Sequence, residues 1–398
     1  MKTETDVLII GAGPTGMALS IALLQAGVDH LLIDRLTEGQ NTSRAGVIHA
    51  QTLESLATLG VADELAARGL KIERFTIRDR DRPLVQLGFG GLPSPHPYVL
   101  MLPQNITEEV LAHRIESLGG IIHRGVTATR VEQDAKGVRV TVTGDGGEQT
   151  LSARYVVGAD GMHSVVRQST GISFEGGAYE ASFVLADVHL DWPFEQSEVS
   201  LFFSPAGLVA VAPLPDGSFR IVSTFDDAPE DLSISEIQSL LDTRGPITAK
   251  AKVRDIIWSS RFRVHHRLAK SYREGRLVLM GDAAHLHSPA GGQGMNTGLI
   301  DAVVLGQVLA GIVKNGKPDS SLDVYERLRR PAAQEVLGLA GRLTAMATTR
   351  GALKRCLRDA LLCFVNINPI ARRKLEMTLS GLSRAASAKL PDKHSAAA

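Results

Sequence analysis

The sequence predicts an α/β protein in which a discontinuous nucleotide-binding domain is interrupted by a β-rich domain and followed by helices. Three observations carry this. Residues 6–34 read strand, glycine-rich turn, helix, strand; much of 72–101 and 179–268 alternates as sheet does; and beyond residue 294 the pattern is helical almost to the end. The expected division gives 1–71, 102–178 and 269–345 to the nucleotide domain. Residues 72–101 and 179–268 form the inserted sheet, and 346–398 a helical segment with a frayed tail.

The opening "DVLII" is a continuous apolar run suited to a buried parallel strand. "GMALSIALLQAG" reads as a helix ending at Gly27, and "HLLID" as the second strand. Residues 7–28 carry no charge and exceed the length of a membrane span, but Pro14 and four glycines interrupt them and no basic cluster precedes them. A soluble βαβ unit is therefore expected. Residues 44–69 read as mostly helical, with a stop at Gly60, and 105–118 as a helix capped by Asn105 or Thr107. "GVRVTVTGDGGEQTLSARYVVGAD" alternates around a glycine turn and predicts a hairpin. The closing helices are expected over 294–314, 319–349 and 351–384.

Composition narrows the function classes. Across 398 residues, 43 Lys and Arg balance 43 Asp and Glu, so no overall field favours nucleic acid. The two cysteines, Cys356 and Cys363, share a helix face and read as buried apolar groups, in keeping with a reducing cytoplasm.

Three motifs carry chemistry. In Gly11-x-Gly13-x-x-Gly16 the glycines permit a tight turn, approach of a pyrophosphate and close packing of helix on strand. The helix N-terminus then faces the phosphate, and Asp34 can accept from a ribose hydroxyl. The motif does not choose between FAD and NAD(P). The second, "VVGADGMHSVVR", reads equally as a strand end turned at Asp160-Gly161, with Arg167 as surface charge. The third, "GDAAHLHSPAGGQGMNTGLIDA", places Asp282 at a strand end and glycines before a helix starting near Met295. His285 and His287 lack the further ligands of a tetrahedral metal site and read as packed or solvent-facing, so no metal is expected.

Together, "GAGPTG", "GADGMHSVVR" and "GRLVLMGDAAHLHSPAGGQGMNTGLIDA" resemble the FAD-dependent aromatic hydroxylases, single-component flavoprotein monooxygenases typified by para-hydroxybenzoate hydroxylase. The resemblance runs from residue 6 to about 345. It implies a Rossmann-like FAD-binding domain, with Gly11, Gly13, Gly16 and Asp34 on the ADP half of FAD and Arg35 among the cofactor-binding residues. It sets Arg44 near the pyrophosphate, Gln104 over the ribityl chain and Ala128 at the adenosine end. Asp160 falls where the FAD and NADPH regions meet, and Asp282 on the ribityl or pyrophosphate part. Met295 and Asn296 present backbone N–H groups to the flavin pyrimidine, with Gly291, Gly292 and Gly294 letting the backbone approach the ring. Pro289 lines the ring's reactive edge.

The implied reaction uses NADPH or NADH to reduce FAD, then O2 to form a flavin hydroperoxide that hydroxylates a phenolic, polyketide- or quinone-like small molecule. Arg220 in "GSFRIVSTF" reads either as charge on the outer face of a strand or as a group reaching substrate or flavin. Larger members carry a C-terminal thioredoxin-like domain; here the sequence predicts helices in its place. From residue 351 those helices hold nine Lys and Arg against three Asp and Glu. That reads as a basic helix covering the core, or as membrane-surface contact with a lipophilic substrate. A flavin reductase of related fold and a non-catalytic FAD-binding protein are the alternatives. A halogenase is disfavoured, since only Trp192 and Trp258 occur and no Trp-rich segment accompanies them.

Overall fold

A computed structural model describes residues 1–39, 45–225, 232–349 and 351–391, with the side chains of 179–181 and 262–264 left aside. Two eight-stranded sheets and one small three-stranded sheet are linked and flanked by helices. The first large sheet is built on parallel strands in the order Leu277–Leu279, Gly147–Gly158, Glu4–Ile10, His30–Ile33, Ile122–His123. Val7, Leu8 and Ile9 are fully buried, which is why that stretch reads as an unbroken apolar run. The first half of Gly147–Gly158 also pairs antiparallel with Val138–Gly144, which pairs in turn with Thr127–Gln133.

The second large sheet runs His285–Leu286, Lys252–Ala269, Phe174–Asp191, Phe219–Phe225, Gly207–Pro213, Glu198–Ser204, Arg74–Asp79, Arg82–Gly88. Two 18-residue strands, Phe174–Asp191 and Lys252–Ala269, pair along almost their whole length, with three irregularities. The two-residue strand His285–Leu286 places the third motif on the edge of this sheet, while Leu277–Leu279 just before it lies in the first. Five residues, 280–284, therefore carry the chain from one sheet to the other.

The helix Gly294–Asn315 is apolar and long enough to cross a membrane, yet 83% of its most apolar stretch is buried within the chain. It packs on the helix Pro14–Gln25. A Cβ on Gly298 would lie 2.5 Å from Thr15 Oγ1, and one on Gly306 2.5 Å from Ala22 Cβ, so both glycines exist to let the helices meet. The N-terminal apolar run is thus a strand and a core helix, as its interruptions imply.

Several local expectations are corrected. Residues 44–69 hold a short strand, Val47–Ile48, then two helices, Ala50–Ala57 and Ala62–Arg68. The next helix begins at Gln104 with Pro103 as its N-cap, so neither Asn105 nor Thr107 caps it. The strand before Asp282 ends at Leu279, and Asp282 lies in a 3-10 turn, Gly281–Ala283. Cys356 is exposed rather than buried, because the helix Ala352–Ile367 turns that side outward.

Asp301, fully buried in the middle of Gly294–Asn315, ties these parts together. It accepts from Arg329 Nε at 2.7 Å and from the Gly281 N–H at 3.2 Å, and its Oδ2 lies 2.7 Å from His285 Nε2. Burial alone would raise its pKa, but Arg329 and His285 outweigh that and hold it below the usual carboxylate value. Removing one partner of such a pair strands the other charge in the core. Asp301→Ala should lower the unfolding free energy by about 3–5 kcal/mol in guanidinium titration. Arg130→Ala, which breaks an exposed pair with Glu132, should barely move the midpoint.

Candidate active site

The glycine-rich turn uses each glycine differently. A Cβ on Gly11, whose φ is +105°, would sit 2.3 Å from the Ala159 carbonyl oxygen, so this residue presses against the second motif. A Cβ on Gly16 would sit 1.9 Å from the Gly11 oxygen. Around Gly13 nothing lies within 4 Å, so its bareness serves no contact inside the chain. That open ground at a helix N-terminus is what an approaching pyrophosphate requires. Asp34 stands directly beyond His30–Ile33 and braces the turn, accepting from the Ala12 N–H at 2.6 Å and the Leu36 N–H at 2.8 Å. Each carboxylate oxygen keeps a further lone pair for a ribose hydroxyl. Arg35 is exposed beside it. Ala128 lies on the neighbouring strand Thr127–Gln133, which enters through a bond from the Val126 N–H to the Asp34 oxygen at 2.8 Å.

The second motif is anchored by contacts within the chain. Asp160 Oδ2 accepts from the Val165 N–H at 2.8 Å, while its Oδ1 is buried with no partner among the described residues. Burial raises the Asp160 pKa. Arg167 is not surface charge: it is buried, donating to the Ala283 oxygen at 2.8 Å and the Met162 oxygen at 2.6 Å, and it lies 4.0 Å over the Phe174 ring. It clamps the second motif to the third.

In the third motif the side chain of Asn296 is fully spent. It donates to the Val47 oxygen at 2.8 Å and the Gly292 oxygen at 2.7 Å, and accepts from the His49 N–H at 2.8 Å. Its backbone is another matter. The helix starts at Gly294 with Gln293 as an uncapped N-cap, and among the described residues the N–H groups of Gly294, Met295 and Asn296 have no acceptor. These three donors, at the positive end of a 22-residue helix, suit an anionic group. His287 lies beside them: a Cβ on Gly294 would be 3.3 Å from its Cε1, and its Nε2 is buried and unpartnered. Burial, with His285 adjacent, pushes the His287 pKa down to about 4, so the ring is neutral at neutral pH. His49, pushed by burial to about 4, contacts the Gly291 oxygen through Nε2 at 2.8 Å.

Gly291 and Gly292 have φ of +83° and +62°, and a Cβ on Gly292 would meet Val47 at 2.9 Å. Both shape the loop against protein neighbours. Pro289 is half-buried at the start of that turn, accepting from the Gly292 N–H at 2.9 Å. Asp282 is exposed at the turn between the sheets.

The residues 45–49 are where the three parts converge. The Ala45 oxygen accepts from the Gln104 N–H at 3.1 Å and from Arg220 Nη1 at 3.0 Å, and the Ala45 N–H donates to Gln104 Oε1 at 3.3 Å. Arg220 is buried, so the outer-face reading is corrected. Its Nε and Nη2 form a fork on Asp187, each at 2.8 Å, and Trp258 Nε1 donates to Asp187 Oδ2 at 2.7 Å. Arg44 falls outside the described residues. Sequence reading missed Asp187, Trp258, Asp301 and Arg329. Their partners are tens of residues away, and no local pattern marks them.

Residues 4–340 match the family described as FAD binding domain. The 6-methylpretetramide 4-monooxygenase of Streptomyces rimosus is 35% identical, over 96% of this chain and 70% of its own length. The pentachlorophenol 4-monooxygenase of Sphingobium chlorophenolicum is 34% identical over 84% of this chain and 64% of its own length. Among solved structures, the anhydrotetracycline hydroxylase of Streptomyces rimosus superposes with a TM-score of 0.80 at 34% identity, covering 95% of this chain and 76% of that one.

The glycine geometry separates folding from binding. Gly13→Ala should leave thermal stability of the flavin-free protein unchanged but weaken FAD binding by about tenfold or more in fluorescence titration. Gly16→Ala should lower stability itself.

Proposed function

The chain belongs to the FAD-binding family of aromatic flavoprotein monooxygenases, and on that premise we propose that it hydroxylates a phenolic or polycyclic, polyketide- or quinone-like aromatic molecule. The relatives are named for tetracyclic and phenolic substrates. The observation that carries the reading is the row of unpaired N–H groups at Gly294, Met295 and Asn296, set beside the 45–49 segment.

FAD, when bound, accepts electrons from NADPH or NADH and brings O2 to react with the aromatic ring. The residues of the chain divide the remaining work. The first large sheet holds the cofactor, with Gly13 facing the pyrophosphate, Asp34 the ribose, and Arg35 and Ala128 the adenosine side. Asp160 lies between the cofactor and nicotinamide regions, and Asp282 faces the cofactor's ribityl or pyrophosphate part. Gln104 lies along the ribityl chain. The N–H groups of Gly294–Asn296 stabilise negative charge on the flavin pyrimidine, with fixed donors that need no reorganisation. His287, neutral, offers Nε2 as a hydrogen-bonding group at the same place.

The second large sheet receives the substrate. Arg220 acts there as a positioning residue: its fork to Asp187 fixes the guanidinium, and Nη1 donates to the Ala45 carbonyl. Pro289 borders the reacting edge of the ring. Packing of the two sheets around residues 45–49 keeps water from the reacting atoms.

Turnover with NADPH, isotopically heavy dioxygen and a panel of phenols, quinones and polycyclic aromatics should give a product carrying heavy oxygen. NADPH oxidation with unlabelled, reduced product would instead indicate a flavin reductase. Bound FAD that NADPH never reduces would indicate a non-catalytic flavoprotein.

A further inference from the structure

The helix Ala352–Ile367 is mounted with its apolar side outward. Its inward side is Arg358, Leu362, Cys363 and Asn366. Arg358 lies 4.6 Å over the Phe203 ring and donates to the Met346 oxygen at 3.3 Å. Asn366 accepts from the Gln86 N–H at 3.0 Å, and Cys363 Sγ lies 3.4 Å from Arg82 Nη2. Only Leu362 among its large apolar side chains is buried. A helix that simply covers a core places its apolar stripe against that core. This one does the reverse.

Leu353, Leu357, Leu361, Phe364 and Ile367 recur at intervals of three and four, and Ile370 continues the series just inside the next helix, Pro369–Leu379. Each is more than half exposed, from 54% at Phe364 to 81% at Ile370. Eleven large hydrophobic residues are exposed among the described residues, and these are six of them, within 18 positions. Scattered exposed leucines need no explanation, but a continuous stripe does.

The charges around the stripe identify what covers it. Lys354, Arg355 and Lys374 make no ion pair among the described residues. Arg372 and Arg373 lie 3.9 and 3.7 Å from Glu376, itself buried and accepting from the Gly88 N–H. Asp359 is taken by Arg358 at 2.8 Å. Among the described residues of these two helices the rim is therefore cationic, with neither acid free. A second copy of the chain would set one cationic rim against another, and repulsion would oppose the apolar contact. An anionic lipid surface satisfies both features, taking the stripe into its acyl boundary and the Lys and Arg heads among its phosphates. We propose that Ala352–Ile367, with the start of Pro369–Leu379, docks the protein on an anionic phospholipid membrane surface without spanning it.

Vesicle co-sedimentation of the FAD-loaded protein tests this, using phosphatidylcholine with and without about 30% phosphatidylglycerol. Binding should be strong only with the anionic lipid and should weaken as salt rises. The double variant Leu357→Gln/Phe364→Gln should reduce partitioning by about tenfold or more. Lys354→Glu/Lys374→Glu should reduce it by at least about fivefold per site. All four positions are at the surface, so flavin content and circular dichroism should match the parent protein. Equal binding to both lipids, or binding untouched by either double variant, overturns the proposal. So does sedimentation velocity showing a dimer that Leu357→Gln/Phe364→Gln dissolves while vesicles are ignored, which would assign the stripe to a second copy.

Discussion

The carboxylate of Asp301 is the contact on which the rest of the site depends. It sits on the buried helix Gly294–Asn315, and its partners come from the turn at Gly281, the strand residue His285 and the helix residue Arg329. Those three groups belong to the first sheet's exit, the second sheet's edge and the C-terminal helices. One buried anion therefore sets the relative placement of elements that share no local sequence. An ion pair so deeply buried is a weak source of stability compared with apolar packing, because desolvation consumes most of the attraction. Its value lies in geometry: the turn carrying Asp282 and the loop leading to Gly294 are fixed at both ends.

Side chains in the third motif satisfy the protein, and backbone is left for the ligand. Asn296 spends its amide on Val47, Gly292 and His49, and in doing so stitches the 45–49 segment to the helix N-terminus. Arg220 and Gln104 grip the same segment from the other side through Ala45. A Cβ on Gly46 would lie 2.7 Å from Arg220 Nη1, so the guanidinium passes directly over the chain there. The segment is held by the second large sheet, the small sheet and two helices, and the N–H groups of Gly294, Met295 and Asn296, without acceptors among the described residues, lie beside it.

What could be read from the sequence was whatever is encoded locally. The βαβ unit, the hairpin at 138–158 and the long C-terminal helices follow from periodicity and turn chemistry, and they are present. The need for glycine at 16 was legible because it answers a local steric demand, the Gly11 oxygen, whereas the neighbour of Gly11, Ala159, lies far along the chain. Arg167, Arg220 and Asp301 were not legible, since whether a charged residue is buried depends on a partner distant in the chain. The same limit explains the histidines: His285 is fixed by Asp301, sixteen residues on, and His287 by the fold around Gly294. The neighbours of Gly291 and Gly292, Leu343 and Val47, are likewise distant in the chain and marked by no local pattern. For Ala352–Ile367 the amphipathic pattern was visible, but not the side that faces the core.

The central claim is that the N–H groups of Gly294, Met295 and Asn296 act on the bound cofactor. Proline is accommodated in the first turn of a helix, so Met295→Pro removes one of these donors without breaking Gly294–Asn315. The direct measurement is the reduction potential of FAD bound to this variant, compared with the parent protein. If the N–H stabilises charge on the flavin, the potential should become more negative by about 20–60 mV with FAD still bound. An unchanged potential at full flavin occupancy would contradict the account.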